Sequence, residues 1–88
     1  MDLAYSAEAD AAYAAIENDA SRLPELQALS RALELIEQES STARRRAYSV
    51  ERFGRLFGIV GRSGAVEVLV LWEPIDDEAL IHYIGPDL

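Results

Sequence analysis

The stretch AVEVLVLWE, residues 65–73, restricts what this chain can fold into more than any other. Residues 68–72 (VLVLW) are large and apolar without any polar alternation, which suits a strand covered on both faces rather than one half-open to water. Turn-forming residues bound it on both sides: Gly61-Arg62-Ser63-Gly64 before, and Pro74 with Asp76-Asp77-Glu78 after. A short apolar run between two turns is a central strand with a neighbour on each flank. One flank comes from Phe53, Arg55, Phe57 and Ile59 alternating with Gly54, Leu56, Gly58 and Val60. The other comes from ALIHYI, residues 79–84, which stops at Gly85-Pro86. These residues predict an antiparallel β-meander of three strands.

The first half of the chain has a different period. Residues 2–5 are short enough to be an edge strand, and Ser6 is a good helix N-cap with Glu8 and Asp10 in the turn that follows, at the positive end of the helix dipole. Ala9, Ala12, Tyr13, Ile16 and Ala20 recur at three- and four-residue spacing, predicting a helix over residues 7–20. Residues 21–23 break it, and Pro24 suits the first turn of a second helix with Leu26, Leu29, Leu33 and Ile36 on one stripe. So short a connection makes the two helices an antiparallel hairpin. The second helix fades over residues 37–42, and Ala43 to Arg46 can extend it by a turn. Helices first and strands after give a single α+β domain over residues 1–88. The N-terminal helical hairpin lies on one face of a small antiparallel meander, and function is to be sought on the other face.

Composition removes several chemistries. The 88 residues contain no cysteine and one histidine, so thiolate zinc sites, cysteine nucleophiles and multi-histidine metal centres are excluded, and no metal or cofactor is expected. No apolar run approaches the ~20 residues of a membrane helix. The acidic opening MDLAYSAEAD is unlike a secretory signal, so a cytoplasmic location without membrane association is expected. A chain of this length has a small core, which a partner or a second copy as a homodimer can reinforce. The net charge is −8, yet residues 42–62 hold six of the eight basic residues and carry +5. The average surface repels nucleic acid, whereas that stretch can attract a phosphate or an acidic peptide. Every basic residue is arginine and alanine abounds, a bias of GC-rich bacterial genomes.

The candidate residues each carry two readings. Arg44, Arg45, Arg46, Arg52, Arg55 and Arg62 can bind phosphate or an acidic partner segment through bidentate charge-assisted bonds. They can equally pair with Glu34, Glu37 and Glu39 and cap the second helix. His82 has the right intrinsic affinity for protons to act as a general acid or base beside Tyr83, or it is simply a partly buried strand residue. Strand alternation points His82 and Tyr83 to opposite faces, so they share a site only where the strand bulges. Asp76-Asp77-Glu78 reads as a hairpin turn rather than a cation loop. Trp72, Phe53, Phe57 and Tyr48 read as core or interface, or as stacking surfaces for a base.

Three strings carry a resemblance. LAYSAEADAAY, ARRRAY and VLVLWEPIDDEALIHYIG are similar to the opening strand and helix, the basic connection after the second helix, and the closing meander of the RelE/ParE toxin superfamily of bacterial type II toxin–antitoxin systems. The resemblance covers nearly the whole chain and implies a toxin-like component neutralised by an antitoxin segment wrapped over the domain. One branch of that family is implied to be a ribosome-dependent messenger-RNA endonuclease, using sheet arginines with a C-terminal tyrosine or histidine. The other is implied to poison DNA gyrase by contact. On the first branch, Arg44, Arg45, Arg46, Arg55, His82 and Tyr83 are the residues left to carry catalysis. The central-strand arginine of those nucleases falls at Leu69, and Pro86-Asp87-Leu88 replaces their basic tail. These departures, with the net −8, favour action by protein contact. A rearranged endoribonuclease is the alternative, and a detoxified acidic interaction module is a third.

Overall fold

A computed structural model describes residues 1–38, 46–50 and 54–86, with residues 46–50 described as backbone. In chain order the elements are β1 (Asp2–Tyr5), α1 (Ala7–Glu17), a 3-10 turn (Ala20–Arg22), α2 (Leu23–Glu37), β2 (Arg46–Val50), β3 (Gly54–Ser63), β4 (Val66–Ile75) and β5 (Glu78–Gly85). The strands form one five-stranded sheet in the order β1-β5-β4-β3-β2, and both helices pack on one of its faces. β2 to β5 are antiparallel neighbours, whereas β1 runs parallel to β5. The protein is therefore an α+β domain, as expected, although its sheet is mixed rather than purely antiparallel. None of the helices among the described residues is long and apolar enough to cross a membrane.

Several boundaries differ from expectation, each for a local reason. α1 ends at Glu17 rather than Ala20, because the Asp19 carboxylate accepts from both the N–H and the hydroxyl of Ser21 and closes a separate turn. The strand β2 was not expected: the extension of α2 to Arg46 fails, since Arg46 opens a strand paired with Gly58. β3 runs through Gly61, Arg62 and Ser63, so the turn shrinks to Gly64-Ala65, with Gly64 at φ 61°. Pro74 and Glu78 likewise belong to strands, and only Asp76-Asp77 forms the second turn, with Asp76 at φ 55°. Aspartate is one of the few side chains that tolerate that left-handed geometry.

The core explains the helix stripe. Ala28, Leu29, Ala32, Leu33 and Ile36 of α2, with Ala9 and Ile16 of α1, are buried against Ile59, Val68, Val70, Trp72, Ala79, Ile81 and Ile84. Burying each large side chain contributes ~1.5–3 kcal/mol. The helix comes very close to the sheet at one point. A Cβ on Gly61 would lie 1.9 Å from the Ala28 carbonyl oxygen and 3.1 Å from the Ala32 Cβ. Glycine beneath two alanines lets α2 seat directly on β3. The expected central strand is present, since every residue from 68 to 72 is buried.

Candidate functional site

The sheet face away from the helices has an apolar floor and a polar rim. Leu56 of β3 with Leu69 and Leu71 of β4 forms a second buried cluster, joined by the half-buried Val60 and Tyr83. Leu69 is 1% exposed and Leu71 fully buried, so the floor itself is withdrawn from solvent. Glu73 and His82 stand beside that floor.

A β-bulge decides what β5 presents here. Counting out from the turn, Ile75 pairs with Glu78, Pro74 with Ala79, Glu73 with Leu80 and Trp72 with Ile81. The register then slips: Leu71 pairs with Tyr83, leaving His82 as the extra residue. Ile81 and Ile84, three residues apart, both lie in the helix-side core. Between them, Tyr83 packs on the Leu56–Leu69–Leu71 cluster, and His82 Nε2 lies 2.7 Å from Glu73 Oε1. The bulge thus places both side chains on the open face, where a regular strand would have separated them. Tyr83 Oη donates to the Pro86 carbonyl at 2.7 Å, which fixes the ring over the C-terminal turn.

The neighbouring feature is a fork. The β3–β4 ladder ends at Phe57 and Trp72, whose rings meet at 5.4 Å. Beyond it, residues 54–56 pair with β2 and residues 73–75 with β5. Continuing the register would oppose Arg55 to Pro74, which has no N–H to donate. The opened strands enclose a cleft of about 300 Å³ lined by Arg55, Leu56, Phe57, Glu73 and Pro74. Arg55 is exposed at its mouth, and among the described residues it pairs with no carboxylate.

The structure gathers some of the expected residues and leaves others apart. His82 and Tyr83 come together, with Arg55 on the adjoining cleft. Arg62 does not join them. It sits at the other end of β3, where its Nε donates to Glu67 Oε1 at 2.9 Å and its carbonyl accepts from Arg31 Nη1 at 2.6 Å. Its partner is a cross-strand glutamate, not a helix carboxylate. Arg44, Arg45 and Arg52 lie outside the described residues, as do Phe53, Glu39, Asp87 and Leu88; Arg46 is described only as the backbone partner of Gly58. Leu69 lies in the floor, where it cannot donate to a phosphate. Glu73 is a member of this site that residue type alone does not single out. Its signal was there in the spacing, because Glu73 pairs with Leu80 across the Asp76-Asp77 turn and is thus a diagonal same-face neighbour of His82.

Among the described residues no group of three or more acidic or histidine side chains is placed to hold a metal ion. Compared with known proteins, the chain matches no family model, no curated protein and no solved structure.

Proposed function

We propose that this chain is a RelE/ParE-like toxin component that acts by protein contact and is held inactive by an antitoxin segment bound through the sheet face away from α1 and α2 and the arginine-rich connection. The supporting observation is the residue that stands at the central-strand position. Where a nuclease of the family would carry a central-strand arginine, Leu69 is buried with Leu56 and Leu71 and gives no donor for a phosphate, which favours contact over catalysis. The order of edge strand, helical hairpin and meander also agrees with what the resemblance implies. Inducible expression in a bacterial host, with growth and transcript integrity followed together, tests the reading. Growth arrest with intact transcripts is expected, relieved by co-expression of an adjacent small reading frame whose product co-purifies. An absence of arrest would instead favour the acidic interaction module.

A second reading has its own observation. The bulge that brings His82 and Tyr83 to one face, with Glu73 2.7 Å from the imidazole, is the arrangement a general acid–base pair needs. A rearranged endoribonuclease would use these groups, with Arg55 on the cleft that Glu73 also lines. His82→Ala with Tyr83→Phe would then stop transcript cleavage without unfolding the domain. Cleavage that survives both changes removes this reading.

A further inference from the structure

Ser6 lies between the end of β1 and the start of α1, and it reaches β5 through two different groups. Its N–H donates to the Ile81 carbonyl at 2.9 Å, carrying the β1–β5 pairing one residue past Tyr5 and Ile81. Its hydroxyl donates to the next carbonyl, that of His82, at 3.3 Å, and the same oxygen accepts from the Ala9 N–H at 3.1 Å. In a regular strand, successive carbonyls point to opposite edges. Were β5 regular, the Ile81 oxygen would face β1 and the His82 oxygen would face β4. Here both face Ser6, which is the backbone signature of the extra residue.

We infer that Ser6 is a positioning residue for the open face: its hydroxyl holds the His82 peptide in the bulged orientation that turns Tyr83 onto the Leu69–Leu71 floor. Without the bulge, Tyr83 would oppose Val70 on the helix side and Ile84 would move to the open face, since a one-residue slip exchanges the faces of everything beyond it. The function of Ser6 therefore exceeds the helix N-cap. A cap needs only an acceptor for Ala9, whereas the bulge needs a donor for His82, and one hydroxyl supplies both. The geometry is independent of the proposed function; only its biological consequence rests on that reading.

The test separates accepting from donating. Ser6→Asp keeps an acceptor for the cap but has no proton to donate, Ser6→Gly keeps a tolerated cap residue with no side chain, and Ser6→Thr keeps both roles. Each variant would be examined in the full chain by circular dichroism for helix content. Nuclear magnetic resonance would follow contacts from the Tyr83 ring to the Leu69 and Leu71 methyls, together with amide exchange over residues 81–84. The expected result is unchanged helix content in all three. Tyr83–leucine contacts should be lost or weakened, and exchange should be faster by roughly fivefold, in the Asp and Gly variants, with wild-type behaviour restored by Thr. Should Ser6→Asp fail to fold, Ser6→Gly carries the same comparison. Wild-type contacts and exchange in a folded Asp or Gly variant would overturn the inference, whatever the growth phenotype. Altered contacts with growth arrest unchanged would uphold Ser6 as the bulge holder and count instead against the open face as the functional surface.

Discussion

The two faces of this sheet are built from the same strands and are buried to the same degree, but they are closed differently. On the helix face, Val68, Val70, Trp72 and Ile81 are covered by α2 and α1, with the half-buried Tyr5 and Tyr13 packed against that layer. On the open face, Leu69 and Leu71 lie directly beside Glu73, His82 and Tyr83. The difference separates two tasks. A face sealed by helices can be optimised for packing alone, whereas beside the buried leucines the partly exposed Glu73 and His82 keep polar groups within reach of solvent.

The largest effect that would break this comparison is expected from Trp72→Ala, which empties the helix face at the point where Phe57 and the fork begin. A loss of ~3–5 kcal/mol is expected, a large share of the ~5–15 kcal/mol typical of a domain, and urea unfolding would measure it. Leu29→Ala and Leu71→Ala form the sharper pair, since both leucines are fully buried, one on each side of the sheet. Each should lose ~2–5 kcal/mol, and a much smaller loss for Leu71 would show that the open face is not packed like the other. Gly61→Ala attacks the helix face from the opposite direction, by adding a methyl where the Ala28 carbonyl already sits. A loss of ~1–3 kcal/mol with a shifted α2 is expected, seen as a lower melting temperature.

The rim should respond far less. Glu73→Gln removes one charge from a pair whose glutamate side chain is 40% exposed, so solvent screening holds the change in stability below ~1 kcal/mol. The resonances of the His82 ring should nevertheless move, because the group facing Nε2 has changed. The smallest effect concerns Tyr5, on the helix side, whose hydroxyl is held above the ordinary tyrosine value by burial first and then by Tyr13, Glu37 and Asp10. A raised value favours the neutral form in the fold. The associated stability is therefore whole below the ordinary value and is lost as pH rises through the raised one. Absorbance titration of the four tyrosines should show a late-ionising fraction that Tyr5→Phe removes.

Much of the architecture was legible because it depends on short-range pattern. The stripe of Leu29, Leu33 and Ile36, the N-cap at Ser6 and the doubly buried run at residues 68–72 all follow from periodicities that the side chains impose locally. β2 was missed because RAYSV follows a helix without a strong alternation of its own, and its identity as a strand comes from pairing with β3. Of the candidate site, His82 and Tyr83 were visible as residue types. Their joint placement was not, since it depends on one unpaired residue in a ladder.

The sequence by itself therefore determined which segments carry the helices and the central strand, that turns separate the strands, and which residues are apolar enough to be buried. Local sterics, capping and hydrophobic period settle those. Only the tertiary structure decided that β1 lies beside β5, that the sheet forks at Pro74, and that His82 and Tyr83 share a face with Glu73. Each of these is a relation between residues distant along the chain, fixed by hydrogen-bond register across strands, and register is a property of a pair of strands that neither strand carries alone.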